Sequence, residues 1–280
     1  MDLSAAPRLL KQAVGIWVNG NAFANAAALA FYTIFSLAPI MIFAITATGI
    51  ILGPEAAEGR IVGQLEGLIG PQPAQVVQQV VASTQITQTG WLPTIAGIVA
   101  MLIGASAVFV QLQRGLNHIW GITGASQRHG LITLLINRLL SLGIAMIFGL
   151  VLMASLLATV VLRAINRFAG DWLTINTNLM SLLETGISLT LMTLLFALMF
   201  KILPGIALRW RDVLPGAAIT ALLFIAGRYL IASYLTLTAP ASAYGAAGSL
   251  VLLLLWIYAS ALILFFGGAI TRAMQQGESQ

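Results

Sequence analysis

An all-α, polytopic membrane protein is the fold class this chain predicts, and three observations predict it. Charged residues make up 8% of the chain and hydrophobic ones 59%, whereas soluble domains run about 25% charged. The apolar residues fall in runs long enough, at about 1.5 Å per residue, to cross a hydrocarbon core of about 30 Å. The basic residues gather at the ends of those runs, where membrane orientation rules put them. With a mean hydropathy of +0.97, the chain has more apolar surface than a soluble core could hide, whereas lipid can face it directly. The net charge of +5 therefore reads as topology, and nucleic acid is not an expected partner. The chain has no cysteine, which excludes disulfides, a thiolate metal site and a thiol nucleophile.

Along the chain, residues 7–17 place Leu10, Val14 and Trp17 at i, i+4, i+7 beside Arg8 and Lys11, the pattern of a short interfacial helix. A frayed basic tail is the alternative. The first span is 28–52; it is too long and starts too late for a signal peptide. Pro39 should kink it by removing the bond to the Phe35 carbonyl, and Ser36 can help satisfy what the proline frees. Residues 53–91 hold Glu55, Glu58, Arg60 and Glu66 between amphipathic stretches, and predict two short helices over one mouth of the bundle. Further spans follow at 92–113, 139–162, 180–200, 213–237 and 248–270. Pro215-Gly216 is expected to open the fifth. The whole of 1–280 reads as one integral membrane domain with six transmembrane helices.

Orientation follows from counting. With the N-terminus inside, inner segments hold Arg8, Lys11, Arg114, Arg128, Arg138, Lys201, Arg209, Arg211 and Arg272, and outer ones hold Arg60, Arg163 and Arg167. This bias toward the inside predicts both termini in the cytoplasm of a bacterial cell, with the spans in its inner membrane.

Several motifs stand in order on this frame. They are Ser36-Leu37-Ala38-Pro39, Leu116-Asn117-His118-Ile119-Trp120, Leu214-Pro215-Gly216-Ala217, Tyr244-Gly245, then Trp256-Ile257-Tyr258 and Gly267. Together, over nearly the whole chain, they resemble the YihY / virulence factor BrkB family of bacterial inner-membrane proteins. That family was once labelled ribonuclease BN, a tRNA-processing enzyme, and transport of lipid-like or other amphipathic molecules is the activity suggested for it. Arg228 falls where such proteins tend to carry a basic residue. Gly267-Gly268-Ala269-Ile270 lacks the carboxylate that the family often carries at the end of the sixth span.

Arg228 is the one basic residue inside a span. Intramembrane charges are costly and usually face a bundle interior or a wet cavity. Two readings stand: an anion-attracting group in a central cavity, with Glu184 as counter-charge, or a buried arginine that only fixes packing. Ser36, Pro39 and Tyr244 are further cavity candidates. Arg114, Asn117, His118 and Trp120 are either an inner gate or a helix C-terminal cap with an interfacial tryptophan. No catalytic, cofactor or metal residues are expected: there are two histidines, no HExxH, no intramembrane aspartate pair and no P-loop. Glu184 is the sole candidate for proton coupling. The expected activity is transport or flipping of an anionic or amphipathic substrate. The expected partners are the bilayer, an anionic lipid or solute, and either further copies of the chain or an envelope protein. A non-transporting scaffold is the alternative, and an RNA-processing enzyme the remote one.

Overall fold

The computed structural model describes the backbone of residues 6–52, 63, 74–75, 78, 107–122, 177–206, 208–238 and 248–278, and the side chains of most of these. Among the described residues every regular element is helical and there is no strand. The helices are α1 (Ala6–Asn19), α2 (Ala22–Leu52), α3 (107–120), α4 (Thr177–Ile202), α5 (Trp210–Thr238) and α6 (Gly248–Glu278). Three of them contain membrane-length apolar windows: Thr185–Ile202, Trp210–Ile231 and Leu250–Gly277. Only 22%, 22% and 33% of those windows is buried inside the protein. Helices this apolar with so little protein cover need lipid as solvent.

Four expected spans meet described helices, with shifted ends. The first begins at Ala22, the fourth covers Thr177–Ile202, the fifth begins at Trp210 and the sixth runs on to Glu278. Of the second span only its end is described, and α3 continues past 113 to 120. The third span lies outside the described residues, as does the 53–91 excursion apart from residues 63, 74, 75 and 78, all helical.

The fifth helix does not open at Pro215. The Arg209 carbonyl accepts bonds from Asp212 N at 3.1 Å and Val213 N at 3.4 Å, and Asp212 Oδ2 accepts from Arg209 N at 3.4 Å. This is one half of a capping box, and it starts the helix at Trp210. Pro215 therefore sits inside the helix, where it withholds a bond from the Arg211 carbonyl.

The chain packs as two compact units. One holds residues 1–20, 116–223 and 266–280; the other holds 21–115 and 224–265. In the first unit, Ala13 of α1 is buried against Ile270 and Ala273 of α6, with Leu9, Ile16 and Met274 around them. Gln12 Nε2 donates to Gln276 Oε1 at 2.8 Å. This cover explains why α6 stays helical through its polar tail. It also divides the expected stripe on α1: Leu10 and Val14 are exposed, whereas Leu9, Ala13 and Ile16 form the packed face. Trp17 alone of the expected trio meets α6, edge-on to Phe266 at 5.5 Å.

Helices α5 and α6 meet closely in this unit. A Cβ at Gly216 would overlap Thr271, and one at Gly267 would overlap Thr220. Both threonines are fully buried, and each turns its hydroxyl onto the carbonyl of the glycine one turn earlier in its own helix: Thr220 to Gly216 at 2.6 Å, Thr271 to Gly267 at 2.8 Å. The crossing is thus a reciprocal pair of Gly-xxx-Thr steps with every hydroxyl proton used. Small residues let backbones approach this way where lipid supplies no hydrophobic drive.

In the second unit α2 is inside-out by soluble standards. Ala22, Ala26 and Ala30 are buried, whereas Phe23, Phe31, Tyr32 and Phe35 are exposed. Gly115 of α3 packs against the Phe265 ring of α6, too close for a Cβ. Beside it, Gln111 Nε2 donates to Asn25 Oδ1 at 3.2 Å, an amide pair buried between α2 and α3.

Candidate functional site

The first unit brings together the C-terminal ends of α3, α4 and α6 and the start of α5. The end of α3 is built by its own backbone. Gly121 has φ +72°, a conformation glycine adopts without strain. Ile122 N donates to the Asn117 carbonyl at 2.9 Å and Gly121 N to the His118 carbonyl at 3.0 Å. These two bonds form a Schellman cap. Arg272 of α6 then donates from Nη1 to the Ile119 carbonyl at 2.6 Å, putting a cation on the negative end of α3.

The candidate gate residues divide accordingly. Asn117 is half-buried, and its Oδ1 accepts from Gly205 N at 3.0 Å, tying the turn after α4 to α3. Trp120 is buried, and among the described residues its indole N–H meets no acceptor. Arg114 and His118 are exposed. Nearby in sequence, Lys201 ends α4, donates to the Leu208 carbonyl at 2.8 Å and lies 5.1 Å over the Trp210 ring. The end of α3 is thus bonded both to the turn after α4 and to α6.

Arg228 lies in α5, half-buried, with its guanidinium carbon 5.2 Å from the centroid of the Tyr229 ring. Tyr229 and Leu230 beside it are exposed. From Trp210 the rise to Arg228 is about 27 Å, most of the way across a core of about 30 Å. Glu184 lies on α4, but its side chain is outside the described residues, so the expected pairing with Arg228 is too. Ser36 is fully buried and donates to the Thr33 carbonyl at 3.0 Å, not to the Phe35 carbonyl freed by Pro39. The helix runs through Pro39 to Leu52. Tyr244 lies outside the described residues.

Sequence reasoning missed three features. Arg272 was counted only as an orientation charge. Asn25 was passed over, although an amide near each of two apolar stretches was the available signal. The Gly216/Thr220 and Gly267/Thr271 steps were visible as i, i+4 spacings, but nothing in the sequence pairs one with the other. Among the described residues no cluster of histidine and carboxylate side chains could hold a metal ion.

Apolar, lipid-requiring helices held by small-residue crossings and buried amides define an integral membrane protein. The chain belongs to the virulence factor BrkB family, whose sequence model matches residues 17–280. It is similar to a Bacillus subtilis protein named ribonuclease-like, YfkH, at 28% identity over 90% of each chain. It is also similar to the UPF0761 membrane protein IL2447 of Idiomarina loihiensis, at 28% identity over 67% of this chain and 63% of that one. A third relative is the UPF0761 membrane protein PA0951 of Pseudomonas aeruginosa, at 27% over 91% and 59%. The chain thus spans about three fifths of the length of these last two relatives. No solved structure matches.

Proposed function

We propose that this chain is a six-span bacterial inner-membrane protein, with both termini cytoplasmic, that moves an anionic amphipathic molecule of lipid-like character across the bilayer. The observation that carries the proposal is Arg228: a half-buried guanidinium kept within an apolar helix of membrane length. A charge at that depth survives where something polar meets it. An anionic headgroup arriving from the outer leaflet would do so, with Glu184 as resting counter-charge and Ser36, Pro39 and Tyr244 along the route. The gathering of Lys201, Arg209, Arg211 and Arg272 with α1 in one unit supports a common cytoplasmic side for these ends. The Arg114, Asn117, His118 and Trp120 group then acts as a fixed inner brace. We assign no catalysis; the ribonuclease-like name belongs to the relative.

A second reading, a scaffold that moves nothing, draws on the α5–α6 crossing, where interlocked threonines and glycines leave no room for a path. Thermal unfolding in zwitterionic detergent separates the two. Added phosphatidylglycerol raises Tm in the transporter reading, by RT ln(1 + [L]/Kd) in free energy, and phosphatidylcholine does not. Arg228→Ala abolishes the shift and Arg228→Lys keeps part of it. Equal shifts in all three proteins would remove Arg228 from any binding role.

A further inference from the structure

The surface of α1 divides into three sectors, and they assign it a partner. At about 100° per residue, Leu9, Ala13, Ile16 and Trp17 form one sector, turned onto α6. Leu10, Val14 and Val18 form the next, and they are 54%, 41% and 51% exposed. Lys11, Gly15 and Arg8 follow, and Gln12 closes the circle by its bond to Gln276. A packed face, a bare apolar face and a basic face thus run side by side along one short helix.

We infer that α1 lies in the surface of an anionic bilayer, with Leu10, Val14 and Val18 in the acyl boundary and Arg8 and Lys11 against lipid phosphates. Charge complementarity selects this occupant. The cations border the apolar strip on its outer side, and α1 has no acid in its sequence Ala-Pro-Arg-Leu-Leu-Lys-Gln-Ala-Val-Gly-Ile-Trp-Val-Asn. Its inner face is held in place by Ile270 and Ala273. Basic amphipathic helices bind bilayers through apolar insertion together with attraction to anionic lipid. Because its packed face meets the last turns of α6, α1 couples lipid charge to the end of that helix. The inference is independent of whether the chain transports anything.

The chain has no cysteine, so single nitroxide labels test this in the full-length protein reconstituted into vesicles. Labels go at Leu10→Cys, Val14→Cys and Val18→Cys, with Gly15→Cys as the water-facing control, since a Cβ at Gly15 meets nothing within 4 Å. The first three should relax with dissolved oxygen and be shielded from a water-soluble nickel chelate; the Gly15 label should do the reverse. Replacing phosphatidylglycerol by phosphatidylcholine should make the Val14 label shallower, and Arg8→Gln with Lys11→Gln should remove that lipid dependence. Three results would overturn the inference. The apolar-sector labels could be as nickel-accessible as Gly15. The Val14 label could show dipolar broadening between copies, which would make the face a self-interface. Or immersion could be indifferent to lipid charge.

Discussion

A single methyl group decides whether α5 and α6 can meet. At Gly267 an added Cβ overlaps the Thr220 side chain, which is fully buried and already committed to the Gly216 carbonyl. Overpacking a filled contact costs about 1–3 kcal/mol and sometimes more. Gly267→Ala should therefore lower Tm or abolish folded protein in detergent extracts, while Gly277→Ala, where a Cβ meets nothing within 4 Å, should leave Tm unchanged. Equal Tm values for both variants would mean that the crossing is loose. Arg228 is the contrasting residue, a half-buried cation with an aromatic ring at 5.2 Å and exposed residues following it. That a charge stands inside a span was legible from the sequence. Its distance from the far boundary was not, since that depends on the half capping box of Arg209 and Asp212, which starts the helix at Trp210, three residues before the expected start of the span.

Helices here are joined by polar pairs as well as by close packing. The hydrogen bond from the Gln111 amide to the Asn25 amide oxygen ties α2 to α3 at 3.2 Å in a buried site. Interhelical hydrogen bonds of this kind average about 0.6 kcal/mol in membrane proteins, because the separated helices also find partners. A double-mutant cycle with Asn25→Ala and Gln111→Ala, read by unfolding in mixed micelles, should give a coupling near that value. Strict additivity would show that the pair does not hold the helices together. The existence and type of the helices were readable because a span needs only length and low charge. Their ends were not, because tertiary contacts set them. α6 runs past 270 because α1 covers Ile270 and Ala273. α3 runs past 113 until Gly121 reverses the backbone and Arg272 caps the Ile119 carbonyl. The stripe on α1 was legible only in part, because periodicity groups Trp17 with Leu10 and Val14 without showing that Trp17 turns onto α6 while the other two stay exposed.

For the whole molecule, the ends gathered in the first unit order the topology. If the ends of α3, α4 and α6 and the start of α5 share the cytoplasmic side, a fluorescent-protein fusion at the C-terminus should fluoresce. Alkaline phosphatase inserted between α5 and α6, at residues 239–247, should be active, and phosphatase at the C-terminus inactive. The opposite pattern would invert the positive-inside assignment. Transport itself is measured most directly in vesicles reconstituted with purified protein, following a fluorescent phosphatidylglycerol as it becomes protected from an external quencher. We predict protein-dependent movement of the anionic lipid that Arg228→Ala reduces at least tenfold, about 1.4 kcal/mol in barrier height, and that Arg228→Lys largely retains. Movement no faster than in protein-free vesicles, or the same rate for Arg228→Ala, would contradict it.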